Sequence, residues 1–429
     1  MFKQFIYELK SEPVVTWVTI TGTALAIFLI MTVVMMQEVK TAPYSPESNR
    51  DRMLHWGMMS ITHPDWGDGS SDGPMSYWAF KNIILPLKSA EEVTVYASMP
   101  TTHSAALRDK TPVKADVLGT DHRFFNVFDL QFTSGKPYDE AQYESGQPLA
   151  VVTENMARQL FGSDDDETVG KEFLLDMAPY KIVGIVRDVS PLADHAYADI
   201  WIPLTSTEIL NDTWTNGYMG SLSSTILARD ADDFPAILAE LDKIKADVNT
   251  QLKAGDGYQY IWRNRPYTTE KDAVSKWANV EPDLQQARRS RLIVYLILLI
   301  VPAINLSSMT QSRLKQRTAE IGVRRSFGCT RGRIIADIIA ENLVMTLVAG
   351  IIGLLLSVIF GYLCNSLLFA QPFSMTFNPP KVDSSILFHW STFGWAMLFC
   401  FILNLLSSGL PAFNASRTSL VNALSGRSK

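Results

Sequence analysis

Five side chains close together in the sequence could bind a metal ion. Carboxylate oxygens and imidazole nitrogens are ligands for hard and borderline cations, and here they are supplied by His55, His63, Asp65, Asp68 and Asp72. The stretch is also rich in Trp and Gly, and a solvated loop is the favoured interpretation. A second acidic run, DDDE at residues 164–167, lacks the alternating ligands and the glycine of an EF-hand loop, so it predicts a solvated turn.

Motifs for nucleotide binding and metalloprotease chemistry are missing from the sequence. No G-x-x-x-x-G-K-[ST] loop occurs, because the Gly-Lys pairs at 135–136 and 170–171 lack the upstream glycine and the hydroxyl residue. The six histidines form no H-E-x-x-H pair. We therefore expect a protein that is not an enzyme and that carries no catalytic residues, cofactor or metal of its own.

The most informative cluster is a basic segment between two apolar runs, and it could hold a partner protein. It reads RTAEIGVRRSFG over residues 317–328. Positive charge is expected in any cytoplasmic loop of a membrane protein, but that explains the arginines and not Glu320 or Gly328. A short amphipathic helix at the membrane surface would present Ile321 and Phe327 to a groove on a partner, with charged residues at the rim.

Four long apolar runs must position this segment. Only 19% of the 429 residues are charged, against about 25% in soluble proteins, which excludes a purely soluble enzyme and a disordered chain. The first run has 23 uncharged residues, enough at about 1.5 Å per residue to cross about 30 Å of hydrocarbon. No small-residue cleavage site follows it, so we expect a retained signal anchor. The predicted spans are residues 14–36, 291–310, 342–369 and 386–413.

The distribution of charge predicts the orientation of these spans. Residues 290–429 contain 12 Lys and Arg against 4 Asp and Glu, and seven of the twelve lie at residues 313–333, in and around the basic segment. Basic loops face the cytoplasm, so we expect both termini inside. Residues 37–289 contain 24 Lys and Arg against 38 Asp and Glu, and we expect this acidic region on the other side of the membrane.

The acidic region is predicted to be a mixed α+β domain over residues 38–285. Strand-like alternation occurs at 92–98, 223–228 and 258–262, and helical spacing at 234–248, which together predict a βαβ-type unit. A second block, about 113–200, contains a strand at 150–152, a helix at 154–161 and a hairpin at 171–189. Residues 268–290 predict a helical stalk that runs into the second span. Aromatic side chains that could line an apolar surface are Trp56, Trp66, Trp78, Trp201 and Trp214.

The basic segment resembles a stretch of the MacB/FtsX family of ABC transporter permeases, R-x-x-E-I-G-V-x-R-x-x-G-x-x-x-x-x-I. The matching positions are Arg317, Glu320, Ile321, Gly322, Val323, Arg325, Gly328, Ile334 and Glu341. The ending LPAFNASR at 410–417, followed by Ala423 and Leu424, resembles the end of that family's chains. Residues 115–186 are similar in motif order to the MacB-type periplasmic core domain.

The resemblance implies a membrane protein with four transmembrane helices and a large α+β domain inserted between the first two. Residues 1–37 would hold the first span, 38–285 the core domain, and 286–429 an FtsX-like permease domain. Within the core domain, 38–112 and 201–267 would form a porter-like part. The residues implied to couple to the ATPase are Arg317, Glu320, Ile321, Gly322, Arg324, Arg325, Phe327 and Gly328.

The family also implies partners and a mechanism. An ABC ATPase would act in trans with its own ATP and Mg, and a second permease copy or a related chain would complete the transporter. A periplasmic adaptor, an outer-membrane channel and membrane lipid are further expected partners, and nucleic acid is not. Export of a small molecule or peptide by mechanotransmission from the bacterial inner membrane is the first hypothesis. An FtsX-type regulator of cell-wall hydrolases and a lipoprotein-releasing permease are the alternatives.

Overall fold

The computed structural model describes residues 13–108, 110–316, 318–369 and 390–417, which form two compact units. The sheet unit is residues 40–284, and the helical unit is residues 13–39 with 285–368 and 390–417. The helices within these ranges are α1 Pro13–Thr41, α2 Tyr77–Ala79, α3 Phe124–Val127, α4 Glu140–Glu144, α5 Glu154–Phe161, α6 Phe234–Gly255, α7 Thr269–Asp272, α8 Leu284–Gln316, α9 Thr318–Ser326, α10 Arg331–Leu363, α11 Asn365–Leu368 and α12 Trp390–Arg417.

All the described strands belong to the sheet unit. They are β1 Met53–Trp56, β2 Met59–Thr62, β3 Ser71–Gly73, β4 Glu92–Ala97, β5 Thr101–Ala106, β6 Val113–Thr120, β7 Phe132–Gly135, β8 Leu149–Thr153, β9 Glu172–Leu175, β10 Ala178–Val186, β11 Ile200–Pro203, β12 Thr213–Trp214, β13 Met219–Gly220, β14 Leu222–Leu227, β15 Gln259–Tyr260 and β16 Tyr267–Thr268.

Six of these strands close into a small barrel. The hydrogen-bonded order is β11, β8, β10, β9, β5 and β6, and β11 pairs with β6 to complete the ring. Alternate side chains of the strands fill the interior, together with α5, whose Met156 and Leu160 are buried in the same core. Alternation of this kind places one face of every strand inside. The barrel includes β5, which precedes residue 113, so it begins earlier in the sequence than the second block expected at 113–200.

The remaining strands extend from the barrel as an open antiparallel sheet. Its order is β6, β4, β14, β1 and β16. The helix predicted at 234–248 is α6, which begins with Pro235 in its first turn and runs to Gly255. The predicted βαβ-type unit is wrong, because β14 belongs to this sheet whereas β15 pairs with β2 in a separate three-stranded sheet.

The predicted helical stalk at 268–290 is also wrong over most of its length. The chain forms β16, then the short helix α7, and then a nonhelical segment over residues 273–283 before α8 begins. Pro282 accounts for part of the difference, since proline has no N–H to donate and disfavours a helical residue before it. An ion pair also spans this segment, with 2.6 Å between Nζ of Lys271 and Oε1 of Glu281.

Three helices of the described chain are long and apolar enough to cross a membrane. They are Thr16–Thr41, Arg331–Leu363 and Gly394–Phe413. They contain most of the predicted first span and parts of the predicted third and fourth spans, although residues 386–389 lie outside the described residues. The span predicted at 291–310 falls inside α8, a helix of 33 residues, but it is not among the three, so four spans remain a prediction.

The helical unit packs around one apolar cluster that involves all four long helices. Ile27 and Ile30 of α1, Ala303 of α8, Leu354 of α10 and Leu403 of α12 are among its buried members. Glycines let the backbones approach: the position of a Cβ on Gly350 would overlap Sγ of Cys400. Small residues are the usual means of close helix association in a bilayer.

Candidate functional site: the basic turn

The candidate site is the basic turn, residues 317–330, which joins α8 to α10 through α9. Gly328 ends α9 with a φ of +90°, a left-handed conformation that glycine adopts at little cost. The N–H of Gly328 donates to the carbonyl of Arg325 (3.0 Å), and the N–H of Cys329 donates to that of Arg324 (3.1 Å). This pair of bonds is a Schellman motif, which closes the helix and sets the exit direction of the chain.

The next helix begins immediately after this cap. Thr330 is the N-cap of α10, and its side chain accepts a hydrogen bond from the N–H of Arg333 at 3.3 Å. Only Cys329 separates the left-handed glycine from the capping threonine. The end of α9 and the start of α10 are therefore both defined by hydrogen bonds, so the turn is a firm elbow.

One face of α9 packs inward. Ile321 and Cys329 lie against a buried cluster formed by α8, α10 and α12, and Gly322 is buried beside them. The cluster consists of Leu314, Ile334, Ile338 and Ala412. The Ile321 side chain is partly buried and already has an apolar neighbourhood within the helical unit, and its presentation to a partner stays a prediction.

The opposite face of α9 is exposed. The Phe327 side chain is 88% exposed and Val323 is 44% exposed. Glu320 and Arg324 form an ion pair at 2.6 Å on the same face, since positions 320, 323, 324 and 327 recur at helical spacing. Val323 was not among the residues expected to contact a partner, although that spacing could have identified it. Arg325 is half-buried, and Arg317 lies outside the described residues.

A buried amide in the helical unit was also missed. Asn404 of α12 is fully buried, and its Nδ2 donates to the carbonyl of Ile339 on α10 at 3.2 Å. Ser408 donates to the Asn404 side-chain oxygen at 3.3 Å. Polar side chains inside an apolar bundle are usually bonded to neighbouring helices in this way. The Asn404 amide therefore joins α12 to α10, at a residue of α10 that follows the basic turn in the sequence.

The metal-site candidates are not brought together. His55 is buried in β1, His63 lies 3.4 Å from Asp65, and Asp72 accepts from the hydroxyls of Ser60 and Ser70. The described residues include no group of three His, Cys, Asp or Glu side chains that could hold a metal. In the 164–167 run the carboxylates separate as well, because Asp164 pairs with Arg158 and Asp166 with Ser134.

Residues 69–73 match the G-x-S-x-G spacing of a hydrolase nucleophile, but the geometry does not fit. Such a serine stands on a sharp strand-to-helix turn, whereas Ser71 begins strand β3. Its hydroxyl oxygen accepts from Trp214 Nε1 and Thr215 Oγ1, both at 3.2 Å. Of the tryptophans considered for an apolar surface, Trp56 and Trp201 are fully buried, whereas Trp66 and Trp214 are exposed.

The sheet unit contains a buried polar network that the sequence did not indicate. Glu47 and Arg50, both almost inaccessible, form an ion pair at 2.6 Å. The second oxygen of Glu47 accepts from the backbone N–H groups of His195 (2.9 Å) and Ala196 (3.1 Å). This network fastens the segment before β1 to the segment before β11.

Two family models match the chain. The model described as the MacB-like periplasmic core domain matches residues 16–244, and the FtsX-like permease C-terminal model matches residues 292–420. The macrolide export ATP-binding/permease protein MacB of Chromobacterium violaceum is 24% identical over 432 residues, covering 99% of this chain and 60% of that protein. MacB of Burkholderia pseudomallei (strain K96243) is 25% identical over 363 residues, covering 84% and 50%.

Solved structures similar to this chain match about half of it. The periplasmic region of MacB from Actinobacillus actinomycetemcomitans matches with a TM-score of 0.31 and 15% identity, covering 48% of this chain and 88% of that one. The extracellular domain of the noncanonic ABC-type transporter YknZ from Gram-positive bacteria matches with a TM-score of 0.33 and 14% identity, covering 48% and 99%. The chain itself spans about half the length of the curated relatives it matches, 50% to 60%. Because the two family models together match most of its residues, the chain belongs to the MacB/FtsX family of ABC transporter permeases.

Proposed function

We propose that this chain is the membrane subunit of a MacB-like ABC transporter and that a separate ATPase subunit binds the basic turn. The observation that carries the proposal is Phe327, an aromatic side chain that is 88% exposed at the end of a hydrogen-bonded elbow. Covering such a side chain stabilises a complex by about 2 kcal/mol. A partner with an apolar pocket and a charged rim would match Phe327, Val323 and the Glu320–Arg324 pair.

The construction of the elbow supports a mechanical role. A partner that pulled on Phe327 would move α9 as a body, because its inner face is packed on the cluster with Leu314 and Ile334. The Schellman cap and the Thr330 cap carry that motion directly into α10. ATP and Mg would bind to the ATPase, and closure of the ATPase would drive the elbow.

The proposed topology has four spans, with both termini and the basic turn in the cytoplasm and the sheet unit outside. The support is the excess of Arg and Lys at residues 313–333, seven against Glu320, and the length of the four helices in the helical unit. Few ionisable side chains occur within the four predicted spans, whereas a polar pathway through the bilayer usually requires them. Cargo would therefore be handled outside the membrane, by rearrangement of the sheet unit in a dimer with a second copy or a related permease.

Affinity purification of the full chain from its native membrane in mild detergent tests the proposal. The wild-type chain should bring down an ABC ATPase, and Phe327→Asp should lose it. The matched control is Trp277→Asp, because Trp277 is a similarly exposed aromatic residue in the sheet unit, 60% exposed. Equal recovery of the ATPase with Phe327→Asp and with the wild type would contradict the proposed contact.

The other proteins recovered would identify the process. A periplasmic adaptor and an outer-membrane channel would indicate export of a small molecule or peptide. A cell-wall hydrolase would indicate an FtsX-type regulator, and a lipoprotein carrier would indicate lipoprotein release. Recovery of none of these with an ATPase present would leave the subunit role standing and remove the export hypothesis.

A further inference from the structure

Two histidines lie face to face inside the sheet unit, remote in sequence from the basic turn. The ring centroids of His55 and His195 are 4.0 Å apart, and the rings are within 7° of parallel. His55 belongs to β1 and is buried, whereas His195 lies in the segment between β10 and β11. No role in the proposed contact with an ATPase accounts for this arrangement.

The ring of His195 is held through both of its nitrogens. Its Nε2 is 3.2 Å from Oδ2 of Asp272 on α7, and its Nδ1 is 3.0 Å from the hydroxyl of Tyr96 on β4. When His195 is protonated, both nitrogens donate, and Tyr96 then donates onward to Thr225 Oγ1 at 2.8 Å. Each hydroxyl in this series of hydrogen bonds has only one proton to donate. The direction of the bond between His195 and Tyr96 therefore determines the direction of the bonds that follow it.

The same chain of hydrogen bonds continues through His55. Thr225 donates to Nδ1 of His55 (3.1 Å), Nε2 of His55 donates to Thr269 Oγ1 (3.1 Å), and Thr269 donates to the carbonyl of Arg50 (2.6 Å). Because Nδ1 accepts in this order, His55 is neutral. The pair thus carries one positive charge, on His195.

The charged groups around the pair favour the same distribution. Burial opposes a charge on His195, but the hydrogen bond to Asp272 and the charges of Asp272, Glu47 and Asp194 outweigh burial and raise its pKa to about 9. Burial and the charges of His195 and Arg50 hold the pKa of His55 well below its ordinary value. The other titratable neighbour, Tyr96, has its pKa raised by burial and is neutral.

We propose that the His55–His195 stack is a proton-operated latch on the strap, defined as residues 267–272, which comprise β16 and α7. While the pair carries one positive charge, the strap is held by Thr269, by Asp272 and by the pairing of β16 with β1. In that pairing His55 is opposite Tyr267. A second proton, on His55, places two cations face to face and turns Nδ1 from an acceptor into a donor. The rings then separate and the strap leaves β1.

The chain beyond the strap is attached to the sheet unit by separate hydrogen bonds. Arg265 Nη2 donates to the carbonyl of Ala278 at 2.9 Å, and Ser60 Oγ donates to the same carbonyl at 3.0 Å. Release of the strap would therefore free residues 267–272 while this attachment ahead of α8 persists. Acid would change the strap locally, which gives the sheet unit a response to pH that does not require an ATPase.

Hydrogen–deuterium exchange of the full chain in detergent tests the latch. After correction for intrinsic rates, we expect amides 267–272 to exchange about tenfold faster at about pH 5 than at about pH 7.5. His55→Gln keeps a donor toward Thr269 but cannot become charged, so its strap should not exchange faster at about pH 5 than at about pH 7.5. The matched control is His63→Gln, which changes a histidine that directly follows β2, away from the His55–His195 pair, and should behave as wild type.

Several results would overturn the proposal. One is that amides 267–272 of the wild type exchange at the same rate at both pH values. Another is that acid accelerates exchange of these amides in His55→Gln as much as in the wild type. Because a variant could also perturb folding, histidine-selective NMR of the wild-type chain provides a second measurement. At about pH 7, the spectrum should show His195 protonated and His55 neutral, and the finding of both neutral would exclude the latch.

Discussion

Gly353 of α10 lies directly against the backbone of α1, where a Cβ atom would be 2.6 Å from the carbonyl oxygen of Ala24. The same atom would be 2.9 Å from Cβ of Ile27. These neighbours belong to the backbone or are attached directly to it, so they cannot move aside as the end of a long side chain can. The contact between α1 and α10 therefore depends on a glycine at this position.

We expect Gly353→Ala to separate α1 from α10 and to destabilise the helical unit by about 1–3 kcal/mol, as overpacking does in well-packed interiors. Thermal unfolding of the full chain in detergent measures the effect. Gly409→Ala is the matched control, because Gly409 is on α12 and a Cβ there meets no atom within 4 Å. Equal midpoints for the two variants would show that the close approach is not needed.

The cap of the basic turn leads to a second prediction. Gly328 has a φ of +90° with open space around it, so Gly328→Ala adds about 1 kcal/mol of backbone strain without a clash. We expect the elbow to loosen and the ATPase to be recovered less efficiently. Gly328→Asn should retain it, because asparagine tolerates the left-handed conformation.

The control for this prediction is Gly332→Ala. Gly332 is in the first turn of α10, also has open space for a Cβ, and has no positive φ. Helix propensity then favours alanine. If Gly332→Ala lost the ATPase and Gly328→Ala did not, the left-handed cap would have no part in the contact.

The ion pair on the exposed face of α9 allows a test of charge recognition. Exchanging its members in Glu320→Lys with Arg324→Glu keeps an i,i+4 pair, whose contribution to helix stability is only about 0.5 kcal/mol. The helix should persist while the charge pattern seen by a partner is reversed. We expect the ATPase to be lost in co-purification, and undiminished recovery would mean that the partner does not recognise these charges.

The apolar helices could be predicted from sequence because their signal is local. An uncharged run long enough to cross a bilayer predicts a helix wherever it occurs, and α1 and α10 follow that rule. The orientation of α9 was only half predicted. Its helical spacing is visible in the sequence, but the sequence does not show that Ile321 finds an apolar cluster formed partly by Ala412, 91 positions away.

The sheet unit shows the limit of local signals more clearly. Alternation predicted β4 and β14, and a short apolar run predicted β8. Nothing in a strand's own residues, however, specifies that β11 pairs with both β6 and β8 to close a barrel. The stacking of His55 on His195 likewise depends on segments 140 residues apart in sequence. Such long-range pairings are set by packing of the whole unit and not by propensity.

The buried ion pair between Glu47 and Arg50, in the segment before β1, leads to a prediction about stability. Arg50→Met removes the ion-pair partner of Glu47 and leaves a buried carboxylate, which typically costs about 3–5 kcal/mol. Glu47→Gln with Arg50→Met removes both charges, so the loss should be smaller than for Arg50→Met alone. Denaturant unfolding of the sheet unit within the full chain would measure both, and a larger loss in the double variant would contradict the charge argument.

The ion pair between His195 and Asp272 predicts how stability changes with alkaline pH. The pKa of His195 is raised to about 9 in the folded protein, against an ordinary value of about 6.5. A raised pKa stabilises the fold fully below the unfolded value, and that stability is lost as pH rises through the folded value. We expect the sheet unit to lose on the order of 2 kcal/mol between about pH 6.5 and about pH 9. Asp272→Asn should flatten this dependence when thermal unfolding is followed across the range, whereas an unchanged slope would assign the pH effect to other groups.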